Sequence, residues 1–101
     1  MADYFLVERA KGPAWDHSRG RREQAAWDEH AEFMDGLAGE GFVVLGGPIG
    51  AGDGENVMLV IDAEDEPSIH SRLADDPWPE EMLTTVSVRP WQTWLRAPGR
   101  T

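Results

Sequence analysis

Residues 42–61 read FVVLGGPIGAGDGENVMLVI, and the fold turns on how that stretch is parsed. Two short apolar runs, FVVLGG at 42–47 and NVMLVI at 56–61, flank the glycine-rich connection PIGAGDGE. Each run is too short for a stable helix and rich in β-branched residues, so both read as strands. A connection of that length and glycine content joins them as a hairpin. Apolar residues at consecutive positions mean that both faces of these strands call for burial.

Upstream of the hairpin the period changes. From about Arg22 to Ala38, Ala26, His30, Phe33, Met34 and Leu37 recur at helical spacing, while Asp28, Glu29, Glu32 and Asp35 take the other side. Gly36 and Gly39 weaken the end of this helix, and Gly41 is a terminator placed just before the strand. The acidic side reads as a solvated face. Before the helix, YFLV at 4–7 is β-prone, and AKGPAWDHSRG at 10–20 reads as a connection. Downstream, DEPSIHSRLA is a second helix with Asp65 or Glu66 near the N-cap and Pro67 in its first turn. Pro77 forbids continuation beyond the residue before it. TTVSVRPWQTWL is the last strand, in which Pro90 marks an edge or a bulge.

The order is β-α-β-β-α-β: an α+β, ferredoxin-like fold, with a four-stranded antiparallel sheet and two helices on one face. At 101 residues the chain is expected to be a single domain, 1–101. Two helices cover only one sheet face. The apolar second face is most simply covered by another copy of the sheet, so a homodimer through the open face is expected.

Composition removes several function classes. A formal net charge of −10 repels phosphate backbones and anionic membrane surfaces, so neither nucleic acid nor membrane is an expected partner. Five of the nine basic residues, Arg9, Lys11, Arg19, Arg21 and Arg22, cluster between 9 and 22. They read either as a solvated connection or as one local basic patch, and the solvated connection is the expectation. The absence of cysteine removes disulfides, thiolate nucleophiles and cysteine-ligated zinc, and fits a cytoplasmic protein. The start MADYFLVERA lacks the basic and apolar regions of a signal peptide, and no apolar run approaches a membrane span.

His30 shares the inward helical face with Phe33, Met34 and Leu37, so it points towards the sheet. It reads either as a satisfied core-edge histidine or as an acid/base whose ring a carboxylate orients. Asp75 and Asp76, in ADDPWPEE at 74–81, lie at the unfavourable negative end of the second helix. An Asp there either caps the turn into Pro77 or answers a cationic partner. Trp78 reads as a lid over the core or as a stacking surface. GAGDG at 50–54 joins two strands and lacks a GK[ST] ending, which excludes a phosphate-binding loop. His17, His30 and His70 have no metal-ligand spacing, so no metal is expected.

WDEHAEFMDGLAGEGFVVLGGPI at 27–49, DAEDEPSIHSRLADDPWP at 62–79 and VSVRPWQTWL at 86–95 together resemble the YCII-related (YciI-like) family over nearly the whole chain. The resemblance implies a dimeric α+β barrel of ferredoxin-like protomers. It also implies a site in which His30 and Asp76 face a pocket beside the sheet, with Gly47, Pro48 and Trp78 shaping it. Asp75 is not the motif residue and reads as a solvated or turn carboxylate. The first connection is longer than in the shortest family members and brings Trp15 or Trp27 towards the pocket mouth as substrate-binding candidates. One relative is a dehydrochlorinase of a chlorinated hydroxyhydroquinone, and the wider superfamily includes isomerases and cofactor-free oxygenases. The expectation is a small cofactor-independent enzyme with a His30–Asp76 pair for isomerisation, elimination or hydrolysis of a small cyclic or aromatic molecule. The alternative is a non-catalytic dimeric module that binds a small ligand or a partner protein, and a His/Asp metal site is third.

Overall fold

The computed structural model describes residues 4–51 and 56–99. Most of GAGDG therefore lies outside the described residues. Six regular elements follow in order: β1 (Tyr4–Lys11), α1 (Trp27–Gly39), β2 (Val43–Ile49), β3 (Asn56–Ile61), α2 (Glu66–Leu73) and β4 (Leu83–Trp91), with one 3-10 turn at Arg21–Glu23. All pairings are antiparallel, in the order β2-β3-β1-β4, which is the ferredoxin-like sheet expected from the element order. Pro90 lies on edge strand β4, where a missing N–H interrupts no ladder on the open side. The irregularity in that strand falls elsewhere: Glu8 pairs with Ser87 but Arg9 with Thr85, leaving Val86 as an extra residue in β4.

The elements start and stop for local reasons. Asp65 Oδ1 accepts the Ser68 N–H at 2.9 Å, capping α2, and Pro67 occupies its first turn. Gly41, at φ 80°, closes α1 as Phe42 N–H bonds back to Leu37 C=O at 3.0 Å and Gly41 N–H to Ala38 C=O at 3.0 Å. That left-handed glycine with a six-to-one bond is a Schellman ending, and it aims the chain into β2.

The first helix starts later than its periodicity suggests. Ala26 adopts a left-handed φ of 61° and is exposed, so it belongs to the turn and not to the inward face. The preceding loop is organised by Gln24, whose side-chain amide donates to the carbonyls of Asp16 at 2.7 Å and Arg19 at 3.1 Å and whose Oε1 accepts the Asp16 N–H at 3.1 Å. Those bonds hold residues 16–24 as a compact loop and take the chain out of helical geometry.

Val7, Leu37, Val43, Leu59, Ile61, Ile69 and Leu73 form the main core between the helices and one sheet face. A second buried cluster, Trp15, Trp78 and Leu83 with Trp27 and Met82 against it, sits at one end of the molecule. It folds the long first connection back onto the sheet, so the basic stretch is not the solvated connection expected. Arg9 is in β1 and buried, Arg21 is buried against the Trp15 ring at 5.1 Å, and Arg19 and Arg22 remain exposed. The opposite sheet face keeps large apolar side chains in water, with Leu45 59% and Trp91 45% exposed.

Candidate active site: a buried His–Asp–Arg cluster

His30 is the fourth residue of α1, and its N–H bonds Ala26 C=O at 3.0 Å. The turn at Ala26 thus sets the rotation of the helix that carries the ring inward. Asp76 arrives from the other end of the fold. Two backbone bonds, Asp75 N–H to Arg72 C=O at 3.2 Å and Asp76 N–H to Leu73 C=O at 3.1 Å, continue a turn past α2. Pro77 then bars helical geometry at Asp76, and the Trp78 N–H folds back onto Asp76 Oδ1 at 2.9 Å. That Asx turn fixes the carboxylate inward. Asp75 is exposed, so the two acids part ways.

The His30 Nδ1 lies 2.8 Å from Asp76 Oδ1 and 2.9 Å from Oδ2. Arg9 Nη1 donates to Oδ2 at 3.2 Å, and its Nη2 donates to Leu83 C=O at 3.0 Å. The Asp76 side chain is 0% exposed and that of Arg9 1%. Both carboxylate oxygens accept from fixed donors, so the proton shared with His30 sits on Nδ1. Nε2 is the ring nitrogen turned away from the carboxylate. A carboxylate that holds one imidazole nitrogen and frees the other is the arrangement acid/base histidines use.

Aromatic rings fix the imidazole plane. Trp78 stacks on it with centroids 3.9 Å apart and planes 11° apart, and Trp78 Nε1–H donates to Ala25 C=O at 2.7 Å. Trp27 is tilted against both, at 5.8 Å from His30 and 5.7 Å from Trp78, and Trp15 meets Trp78 edge-on at 5.5 Å. Of the residues named from the sequence, His30, Asp76, Trp78, Trp27 and Trp15 therefore share one neighbourhood. Trp78 and Trp15 are buried and Trp27 half-buried, so Trp27 offers the most accessible ring of the three. Gly47 and Pro48 sit elsewhere, in β2 opposite Met58 and Val57, and among the described residues no hydrogen bond or ring contact of the cluster reaches them.

Arg9 is the member that sequence reasoning passed over as part of a basic stretch. The signal was present: Phe5, Val7 and Arg9 alternate onto the helix-covered face of β1, and a charge at a core position needs a buried partner. Among the described residues no group of three or more His, Cys, Asp or Glu side chains is placed to hold a metal ion. No helix among them is long and apolar enough to cross a membrane.

Fold and site together define an α+β protein of ferredoxin-like topology whose helix face encloses a hydrogen-bonded His–Asp pair. The YCII-related domain profile matches residues 4–92, and the chain belongs to that family. No curated protein and no solved structure gives a significant match.

Proposed function

We propose that this chain is a cofactor-independent acid/base enzyme acting on a small cyclic or aromatic molecule, with His30 Nε2 as the atom that takes and returns the proton. The observation that carries the reading is the double contact of His30 Nδ1 with a fully buried carboxylate, at 2.8 and 2.9 Å. Asp76 orients the ring and stabilises the imidazolium that forms when Nε2 takes a proton. Trp27, half-buried beside His30, supplies flat apolar surface suited to a planar substrate, and the buried Trp15 and Trp78 back it from the interior. Isomerisation, elimination and hydrolysis are the reaction types that need only such a positioned proton carrier. A thermal-shift screen of small phenols and lactones identifies ligands, and turnover of each hit is then followed. His30→Ala is expected to slow turnover by roughly 100- to 10,000-fold, the usual worth of a general acid/base. Full turnover by folded His30→Ala would end the proposal.

One observation favours a second reading, a non-catalytic ligand-binding module. The His30 side chain is only 9% exposed beneath its tryptophan stack, a burial that a purely structural pair also shows. Binding of a hit without any chemical change, in wild type and His30→Ala alike, would decide for it.

The working unit is proposed to be a homodimer joined through the open sheet face. Leu45 and Trp91 are exposed there, and Trp94 and Leu95 overhang it at 86% and 95% exposure. With Tyr4 and Val60 they border a groove of about 540 Å³. An apolar patch of this kind is uncommon on a monomer, and a second copy buries it symmetrically. Sedimentation at micromolar concentration tests this, and a clean monomer removes it. The cysteine-free composition is compatible with a cytoplasmic setting.

A further inference from the structure

Arg9 occupies a position that the fold otherwise fills with apolar side chains. It follows Phe5 and Val7 on the helix-covered face of β1, next to the irregularity that places Thr85 opposite it. The extra residue in β4 increases the local twist and re-aims the strand pair at that point. The guanidinium is held by Asp76 and by Leu83 C=O, while its buried Nε makes no hydrogen bond among the described residues. A buried cation with an unpartnered N–H is an unfavourable way to fill a core position. It is accounted for if the charge itself is needed.

We infer that Arg9 is a positioning residue that acts through Asp76 to keep His30 neutral, with its proton on Nδ1 and its Nε2 lone pair free. The argument is one of charge balance. Arg9 and Asp76 sum to zero, so the buried trio is neutral when His30 is neutral. Without Arg9, Asp76 would be a buried, uncompensated carboxylate, and the nearest group able to answer it by taking up a proton is His30 itself. The imidazole would then be an imidazolium at rest, with no lone pair to accept a proton from substrate. Arg9 thereby separates two jobs of the carboxylate: it still orients the ring, but it does not draw a proton onto it before substrate arrives.

The other charged groups around the cluster do not substitute for Arg9. Glu80 reaches Arg9 Nη2 at 3.8 Å but is 54% exposed and screened by water. Asp28 and Glu29, beside His30 on α1, are exposed, as is Asp75. Lys11 and Arg21 lie over the Trp15 ring. None of these is seen to contact His30 or Asp76.

The functional meaning of this inference rests on the acid/base reading, but its test does not need a substrate. Long-range proton–nitrogen correlation spectra of 15N-labelled protein at neutral pH report which imidazole nitrogens carry protons, with His30 assigned by its loss in His30→Gln. Wild type is expected to show a neutral His30 with Nε2 unprotonated. Arg9→Met should move the ratio of imidazolium to neutral ring upward by roughly tenfold or more, the effect of removing a close compensating charge. Arg9→Lys, which restores the charge, and Glu80→Gln, which removes only the screened acid, should both resemble wild type. A wild-type His30 that is charged, or protonated on Nε2, overturns the inference even if Arg9→Met fails to fold. So does a folded Arg9→Met whose His30 is unchanged. Loss of this assignment would leave the His30→Ala turnover test untouched, and an inactive-site outcome there would leave the charge assignment standing.

Discussion

Truncating Asp76 to alanine tests whether the cluster is held together as a unit. The carboxylate accepts from His30 at 2.8 and 2.9 Å, from Arg9 at 3.2 Å and from the Trp78 N–H at 2.9 Å, and none of it reaches solvent. Its loss strands the Arg9 guanidinium, and breaking a buried pair from one side costs about 3–5 kcal/mol. The orphaned Trp78 N–H adds about 1–3 kcal/mol if nothing replaces its partner. These terms overlap, because the Asx turn and the ion pair share one side chain, so a total loss of about 4 kcal/mol is expected. Against a domain stability of about 5–15 kcal/mol that is a large fraction. Equilibrium urea unfolding followed by tryptophan fluorescence reads it directly, as a fall in midpoint of roughly 2 M for a urea slope near 2 kcal/mol/M. The double variant Arg9→Met/Asp76→Leu is the control. With both charges gone and the volume refilled, much of the loss should return, since a buried ion pair replaced by packed apolar groups is often near neutral. A loss under about 1 kcal/mol in Asp76→Ala would refute the assignment of a desolvated, mutually dependent pair.

Three other perturbations have outcomes that follow from local geometry. Gly12→Ala would drive a Cβ into the backbone carbonyl of Glu81 and to 2.8 Å from Thr84 Oγ1, so the variant should lose about 2 kcal/mol or more and display it as a lowered thermal midpoint. Asp65→Ala removes the α2 cap at Ser68 N–H and should cost about 0.5–2 kcal/mol in urea unfolding, with little change in His30 spectra. Asp16 has its carboxyl held below the ordinary value of 3.8, first by the Ser18 hydroxyl and then by the Ser18 N–H, with burial opposing and Arg19 assisting. A lowered folded value means that the stabilisation is present above the ordinary value and lost as pH falls through the lowered one. The stability gap between wild type and Asp16→Asn should therefore be constant near neutrality and close only in acid, below 3.8; a gap that persists unchanged through acid unfolding curves would contradict this.

Much of this molecule is legible along the chain because it depends on neighbours in sequence. The two apolar runs around the glycine-rich connection, the Asp65 cap, the Gly41 stop and Pro90 each act within a few residues, and together they yield the element order and hence the sheet. The inward aim of His30 was likewise contained in the spacing of His30, Phe33, Met34 and Leu37, and Pro77 marked Asp76 as a residue outside the helix. What failed was also local in origin. The helical pattern running back to Arg22 was overridden by Gln24, whose long side chain gathers carbonyls from Asp16 and Arg19 and leaves Ala26 in a left-handed turn.

The site itself belongs to the tertiary structure. Arg9 and Asp76 are separated by 67 residues, and His30 and Asp76 by 46, and no periodicity links such positions. They meet because β1 lies centrally in the sheet while both helices close over the same face, and because one extra residue in β4 changes the register beside Arg9. Trp15 and Trp78 then shut out water, turning three polar side chains into a cluster that must satisfy its own charges. Local pattern along the chain was enough to say which segments could be strand or helix and which side of each sought burial. Only the folded chain decided which charges were buried together, because desolvation and pairing are properties of a place and not of a stretch of residues.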